Sequence, residues 1–343
     1  MISENSVLND SKSPQLSSAD RLFNIWTKRY LTEVSALVSS YAVKDAVSLK
    51  GRQRTIDRLE NSLVEDICKL AAIRTKDLYA HHKNLDLQET AELGRYAFQI
   101  YPVVLEFYSA NAPMPACFQP NSTIFAIPKI HALASLIEPF LSEFQSQDIR
   151  AIDWQTRSFL TTEFNLSGKL LLELLSPAEQ VLLSAYFDFL EEYVAIPWQR
   201  LCMAAADYTP TSPTFKLVER MLPKLSEISM AVYTKGCQRF GGYYNRRGQL
   251  NNLGVKHSSL RDLGMFQAYL WLCVLQGNLD AIEQELWVFC DLIYRRIDIP
   301  WEMASQGIKL LVTEIMKNLK PDEQNLLTPY TNGLVQAFTE PLI

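Results

Sequence analysis

The stretch from Ser258 to Leu311, SSLRDLGMFQAYLWLCVLQGNLDAIEQELWVFCDLIYRRIDIPWEMASQGIKLL, constrains the fold more than any other. It reads as three helices in a row. Ser258 or Ser259 can cap the first helix, and Asp262 falls in its opening turn, where a carboxylate suits the helix dipole. Gly277-Asn278 stops that helix, because the residue after a last turn often needs left-handed backbone angles. A second apolar helix runs from about Leu279 to Arg296, and Pro300 starts a third with Trp301 behind it.

Part of this pattern occurs twice. Residues 178–198 read AEQVLLSAYFDFLEEYVAIPW, and residues 282–301 read IEQELWVFCDLIYRRIDIPW. Both are helix, short connection, Pro-Trp, helix, and they align with about one residue of slack. A repeat of this length implies duplication of a helical unit. Tyr208-Thr209-Pro210-Thr211-Ser212-Pro213 lies between the copies and lacks helix formers, so the domain boundary is placed there. The expected organisation is a disordered tail over 1–17, an N-terminal helical domain over 18–209 and a C-terminal one over 213–343. Counting back from Pro197 by the spacing that links Pro300 to Asp262 lands on Phe159, so the first copy lacks that carboxylate.

The rest of the chain also carries helical spacing, and the expected class is all-α with no sheet beyond a trivial hairpin. A first helix starts after Ser17-Ser18-Ala19-Asp20 and carries Leu22, Trp26, Tyr30, Val34 and Leu37. A polar break at Ser48–Arg52 precedes a helix with Ile56, Leu59, Leu63, Ile67, Leu70 and Leu78 on one stripe, ending near His81-His82. A third helix runs from Leu87 to Phe107. Residues 111–127, with three prolines, read as a long loop, and helices resume at about 128–144 and 152–175.

Composition bounds the function classes. Hydrophobic residues make up 48%, and only 12 of 343 residues are glycine, which suits a helical core-forming chain. A net charge of −5 argues against a general nucleic-acid binder, which needs a basic face for phosphates. Six scattered cysteines form no Cys-x-x-Cys pair and find no partner histidines at metal spacing. They are read as reduced thiols in a cytoplasmic protein. No apolar run approaches the roughly 18 residues that span a bilayer. No phosphate-cradling Gly-rich loop and no Gly-x-Ser-x-Gly elbow occur.

The residues Leu260-Arg261-Asp262, Met265-Phe266, Tyr269, Gly277-Asn278, Tyr294 and Pro300 resemble the signature of the phycobiliproteins, the bilin-carrying globin-like antenna subunits. That signature is a Cys-x-Arg-Asp helix start, an aromatic run ending in Gly-Asp, a late Tyr and a Pro. Two upstream segments, Ala231–Lys235 and Gly241–Arg247, echo the family as well, and the resemblance covers about 213–318. It implies a globin-like bundle, two related domains in tandem, association with a protein partner (phycobiliproteins or a second copy, as a dimer) and a bilin pocket. The family's bilin-attaching Cys falls on Ser259, so any bilin is expected to be non-covalent.

Within that resemblance Asp262 is the acceptor for pyrrole N–H groups, because one carboxylate can satisfy several charge-assisted donors. Arg261, with Lys256 or His257, takes the propionates, and Phe266 and Tyr294 form the walls. The competing reading is that Arg261 and Asp262 decorate a helix start and the aromatics are core. A second candidate, for an anion or a partner, is the basic loop of Arg239, Arg246 and Arg247 with Tyr243 and Tyr244. The expected function is therefore non-catalytic binding in phycobilisome- or bilin-related assembly. The alternatives are an interaction scaffold without chromophore and, ranked below it, an enzyme of bilin or haem metabolism.

Overall fold

The computed structural model describes residues 16–33, 38–79, 87–115, 124–146, 153–245, 248–296 and 299–339. It is mostly helical. The N-terminal half holds α1 (Ser18–Thr27), α2 (Ser40–Val47), α3 (Leu49–Arg58), α4 (Asn61–Tyr79), α5 (Leu87–Ala110), α6 (Ile130–Ser146), α7 (Asp153–Glu173), α8 (Pro177–Ala195) and α9 (Trp198–Ala204). The C-terminal half holds α10 (Pro213–Met221), α11 (Leu225–Arg239), α12 (Leu253–Gln276), α13 (Trp287–Arg296), α14 (Trp301–Lys317) and α15 (Pro321–Ala337). A π-helical turn, Ala281–Leu286, leads into α13.

Several boundaries differ from the sequence reading, each for a local reason. The first helix stops at Thr27, where a 3-10 turn over Lys28–Tyr30 brings Arg29 and Tyr30 both onto Glu192. Strand β1 (Thr32–Glu33) follows. It pairs antiparallel with β3 (Ile124–Ala126), which also pairs with β2 (Met114–Pro115). The region read as a long loop thus contributes two strands to a three-stranded sheet, more than a trivial hairpin, and a second pair joins β4 (Tyr244–Asn245) to β5 (Gly248–Gln249). The expected break at Ser48 is a tight helix–helix corner. Ser48 Oγ accepts from Gly51 N and caps α3, and a Cβ at Gly51 would lie 1.9 Å from the Asp45 carbonyl oxygen. The stripe drawn through Ile56 to Leu78 belongs to two helices, because α3 ends at Arg58 and α4 starts at Asn61. Val34, Leu37 and His81-His82 lie outside the described residues.

Helix α12 starts at Leu253, earlier than the sequence suggested. Its cap is Asn252, whose Oδ1 accepts from Gly254 N and Val255 N. Ser258 and Ser259 are therefore not caps, and Asp262 lies more than two turns inside the helix, beyond the reach of the N-terminal dipole. The stop at Gly277 is as expected, with φ 73° in the left-handed region. Among the described residues no helix is long and apolar enough to cross a membrane.

One buried apolar cluster runs through both halves, from Leu22 to Phe338. Helix α4 packs on α7 and α7 on α8, as α11 packs on α12. Across the halves α9 lies on α12, and Tyr208 Oη donates to the Leu275 carbonyl.

Candidate functional site

Residues 259, 262, 263 and 266 share one face of α12 by helical spacing. That face borders a cavity of about 130 Å³ enclosed with α11, the end of α13 and the start of α14. Ser259, Asp262, Phe266 and Tyr294 line it, with Tyr233, Cys237 and Phe240 from α11 and its exit. Four residues singled out in the sequence thus meet in space. Cys237 joins them on the same cavity. Tyr294 is buried, and burial, with Cys290 and Asp262 nearby, pushes its hydroxyl well above the ordinary range. Neutral Tyr294 is a hydrogen-bonding wall and not a base.

Two of the cations expected at the same site are held by carboxylates. Arg261 donates through Nη1 to Glu191 Oε1 at 2.8 Å, and through Nη2 to Asp262 Oδ1 at 2.9 Å. Burial opposes its charge, but Asp262 and Glu191 outweigh that and hold the guanidinium charged. His257 Nε2 lies 3.1 Å from both Glu191 oxygens. Neither Arg261, His257 nor Lys256 lines the cavity. Arg261 and His257 instead bind a carboxylate of α8, across the two halves.

Glu191 was not singled out in the sequence. It is buried, and Asn165 Nδ2 also donates to it at 2.7 Å. Burial works against its charge, yet His257, Arg261 and Asn165 together hold the carboxyl down at about 2. The only signal for it was the acidic pair Glu191-Glu192 near the end of α8. Glu192 in turn accepts from Arg29 and Tyr30.

Of the second candidate set, Arg239, Tyr243 and Tyr244 lie among the described residues. Arg239 lies over the Phe240 ring, 5.9 Å from its centroid. Tyr243 N donates to the Phe240 carbonyl, and the Tyr244 backbone pairs with Gln249. Arg246 and Arg247 lie outside the described residues.

One further pair was also missed. Glu163 on α7 and Gln267 on α12 are both fully buried. Thr75 Oγ1 on α4 donates to Glu163 Oε2 at 3.3 Å, and Gln267 Nε2 donates to Ser229 Oγ on α11 at 2.9 Å. Among the described residues Oε1 of each has no hydrogen-bond partner. Burial pushes the Glu163 carboxyl up to about 8, against the Thr75 hydrogen bond. Among the described residues no group of three or more His, Cys, Asp or Glu can hold a metal ion. Comparison with protein-family models, with curated proteins and with solved structures found no match for this chain.

Proposed function

We propose that this chain is a non-catalytic binding protein built from two related phycobiliprotein-like, globin-like helical units, and that it acts by holding a protein partner. The tandem part of this reading is supported by the Glu163 and Gln267 environments. Each stands 16 residues before the shared Glu-Gln, at Glu179 and Glu283, and each bonds a hydroxyl on the helix packed beside it. The observation that carries the function is the state of the C-terminal cavity. It gathers an acceptor, Asp262, and aromatic walls, Phe266 and Tyr294, as a chromophore site would. Yet the thiol position is Ser259, the nearest cations are bound to Glu191, and about 130 Å³ falls short of the roughly 300–1,000 Å³ of small-molecule sites.

A second reading, non-covalent carriage of a bilin, is favoured by the convergence of Asp262, Phe266 and Tyr294. Titration with a free bilin separates the two. The partner-only reading expects no absorbance change at tens of micromolar, and no pigment on the chain after acid–urea denaturation. A bound spectrum that is lost in Asp262→Asn overturns it in favour of the bilin carrier. Sedimentation of the chain alone and with a phycobiliprotein then tests the partner, and a monomer that ignores the phycobiliprotein counts against the family assignment.

A further inference from the structure

Each Ile-Pro-Trp turn borders a cavity. Ile299 lines the one described above, and Ile196 lines another of about 390 Å³ between α6, α8, α9 and α12. The second cavity is three times the volume of the first and lies within the range of small-molecule sites. Nothing in the proposed function uses it.

Its walls are aromatic, from Tyr193, Trp198 and Tyr269, with Leu160 behind them. Two charged side chains face it. Arg200 is already held, donating through Nη1 and Nη2 to the two oxygens of Glu285 at 2.6 and 2.7 Å. The other is Glu138, which stands exposed at the mouth and accepts from the Tyr193 hydroxyl. Burial, and then Glu138, push that hydroxyl above its ordinary range, so it remains a donor at neutral pH. The uncommitted charge on the cavity is therefore negative, beside electron-rich rings that attract cations. A single carboxylate does not chelate a metal. An anion meets no free cation on the lining, and a neutral ligand leaves the carboxylate unused.

We propose that this cavity is a binding site for a small organic ammonium ion with a flat apolar body, the ammonium at Glu138 and the body against Tyr193 and Tyr269. The class includes arylalkylamines and an amine-bearing side chain of a partner. Benzylamine is the probe, with benzyl alcohol as its neutral isostere and benzoate as its charge-reversed one.

Calorimetric titration of the full chain should rank benzylamine about tenfold or more above benzyl alcohol, with benzoate weakest. Glu138→Gln, an exposed substitution, should bring benzylamine down to the level of the alcohol while leaving alcohol binding unchanged. Asp262→Asn should change neither, which separates this cavity from the C-terminal one. The proposal is overturned if amine and alcohol bind alike, if the preference survives in Glu138→Gln, if it is lost in Asp262→Asn, or if benzylamine does not bind at about 10 mM.

Discussion

The two copies of the helical repeat solve the same packing problem with opposite chemistry. Five residues before the shared Ile-Pro-Trp stand Glu191 in the first copy and Tyr294 in the second. Sixteen residues before the shared Glu-Gln stand Glu163 and Gln267. All four side chains are buried. At these two positions the first copy has carboxyls, one ion-paired and one not, and the second has neutral hydrogen-bonding groups, although the second copy also buries Asp291, paired with Arg295. The Trp of each turn differs too. Trp198 is 2% exposed and stacks against Trp26, with the Arg29 guanidinium 5.6 Å from its ring centroid. Trp301 is only half-buried and stacks on Phe338 from the chain's end. The first copy sits at the centre of the molecule, covered by α1 and joined to α12, whereas the second turn lies nearer the edge.

The largest expected effect tests that asymmetry. Trp198→Ala should cost roughly 3–5 kcal/mol, as for a large aromatic removed from a core. Trp301→Ala should cost clearly less, about 1–2 kcal/mol, because part of its surface is already in water. Urea unfolding of the two variants measures both. Equal losses would mean that the two turns carry equal loads and that the central position of the first is unimportant.

How legible this was from sequence depends on the type of information. Helical periodicity, Gly277 and the Pro-Trp starts are local signals, and the end of α12 and the start of α14 follow them, whereas α12 begins earlier and a π-helical turn precedes α13. The grouping of Ser259, Asp262, Phe266 and Tyr294 was expected from sequence, since three share one helix face and the resemblance set the fourth beside them. What was not legible is long-range. Arg261 finds a partner 70 positions upstream, and Arg29 finds one 163 positions downstream. No periodicity reports which charge will face which once helices pack. Strands of two or three residues, such as Thr32–Glu33, leave no alternation to read.

The next test makes the first copy resemble the second at one atom. Glu163 is neutral below about 8 in the folded chain, but an unfolded Glu titrates near 4.5. Its contribution is thus fully present below pH 4.5 and is lost as pH rises through 8. The linkage slope is about 1.4 kcal/mol per pH unit, so roughly 3 kcal/mol disappears across that window once solvent penetration is allowed for. Glu163→Gln, with the amide that already occupies the Gln267 site, should abolish the decline. Thermal unfolding at pH 5, 7 and 9 shows it as a variant equal to wild type at pH 5 and more stable at pH 9. A wild-type curve as flat as the variant's would place a solvent path or a cation beside Glu163.

The smallest effect runs with the opposite sign. Glu191 is held at about 2, below the ordinary carboxylate range, so its contribution is present above pH 4.5 and is lost as pH falls toward 2. His257 is raised by the same pair, so its share is present below 6.5 and is lost as pH climbs through the folded value. The Glu191–His257 pair is therefore strongest between about 4.5 and 6.5. Glu191→Gln keeps the shape and removes the charge. At pH 6 it should cost about 1.5–3 kcal/mol, the worth of a hydrogen bond to a charged group, with Asp262 still holding Arg261. The difference from wild type should shrink steadily from pH 4.5 to 2. Tyr294→Phe, at the corresponding place in the second copy, removes a neutral hydroxyl and should leave the acid limb of the stability curve where it is. If Glu191→Gln instead follows wild type in parallel down to pH 2, this ion pair does not stabilise the junction between the halves, and the other contacts across it, α9 on α12, Tyr208 on Leu275 and Arg200 on Glu285 among them, carry it.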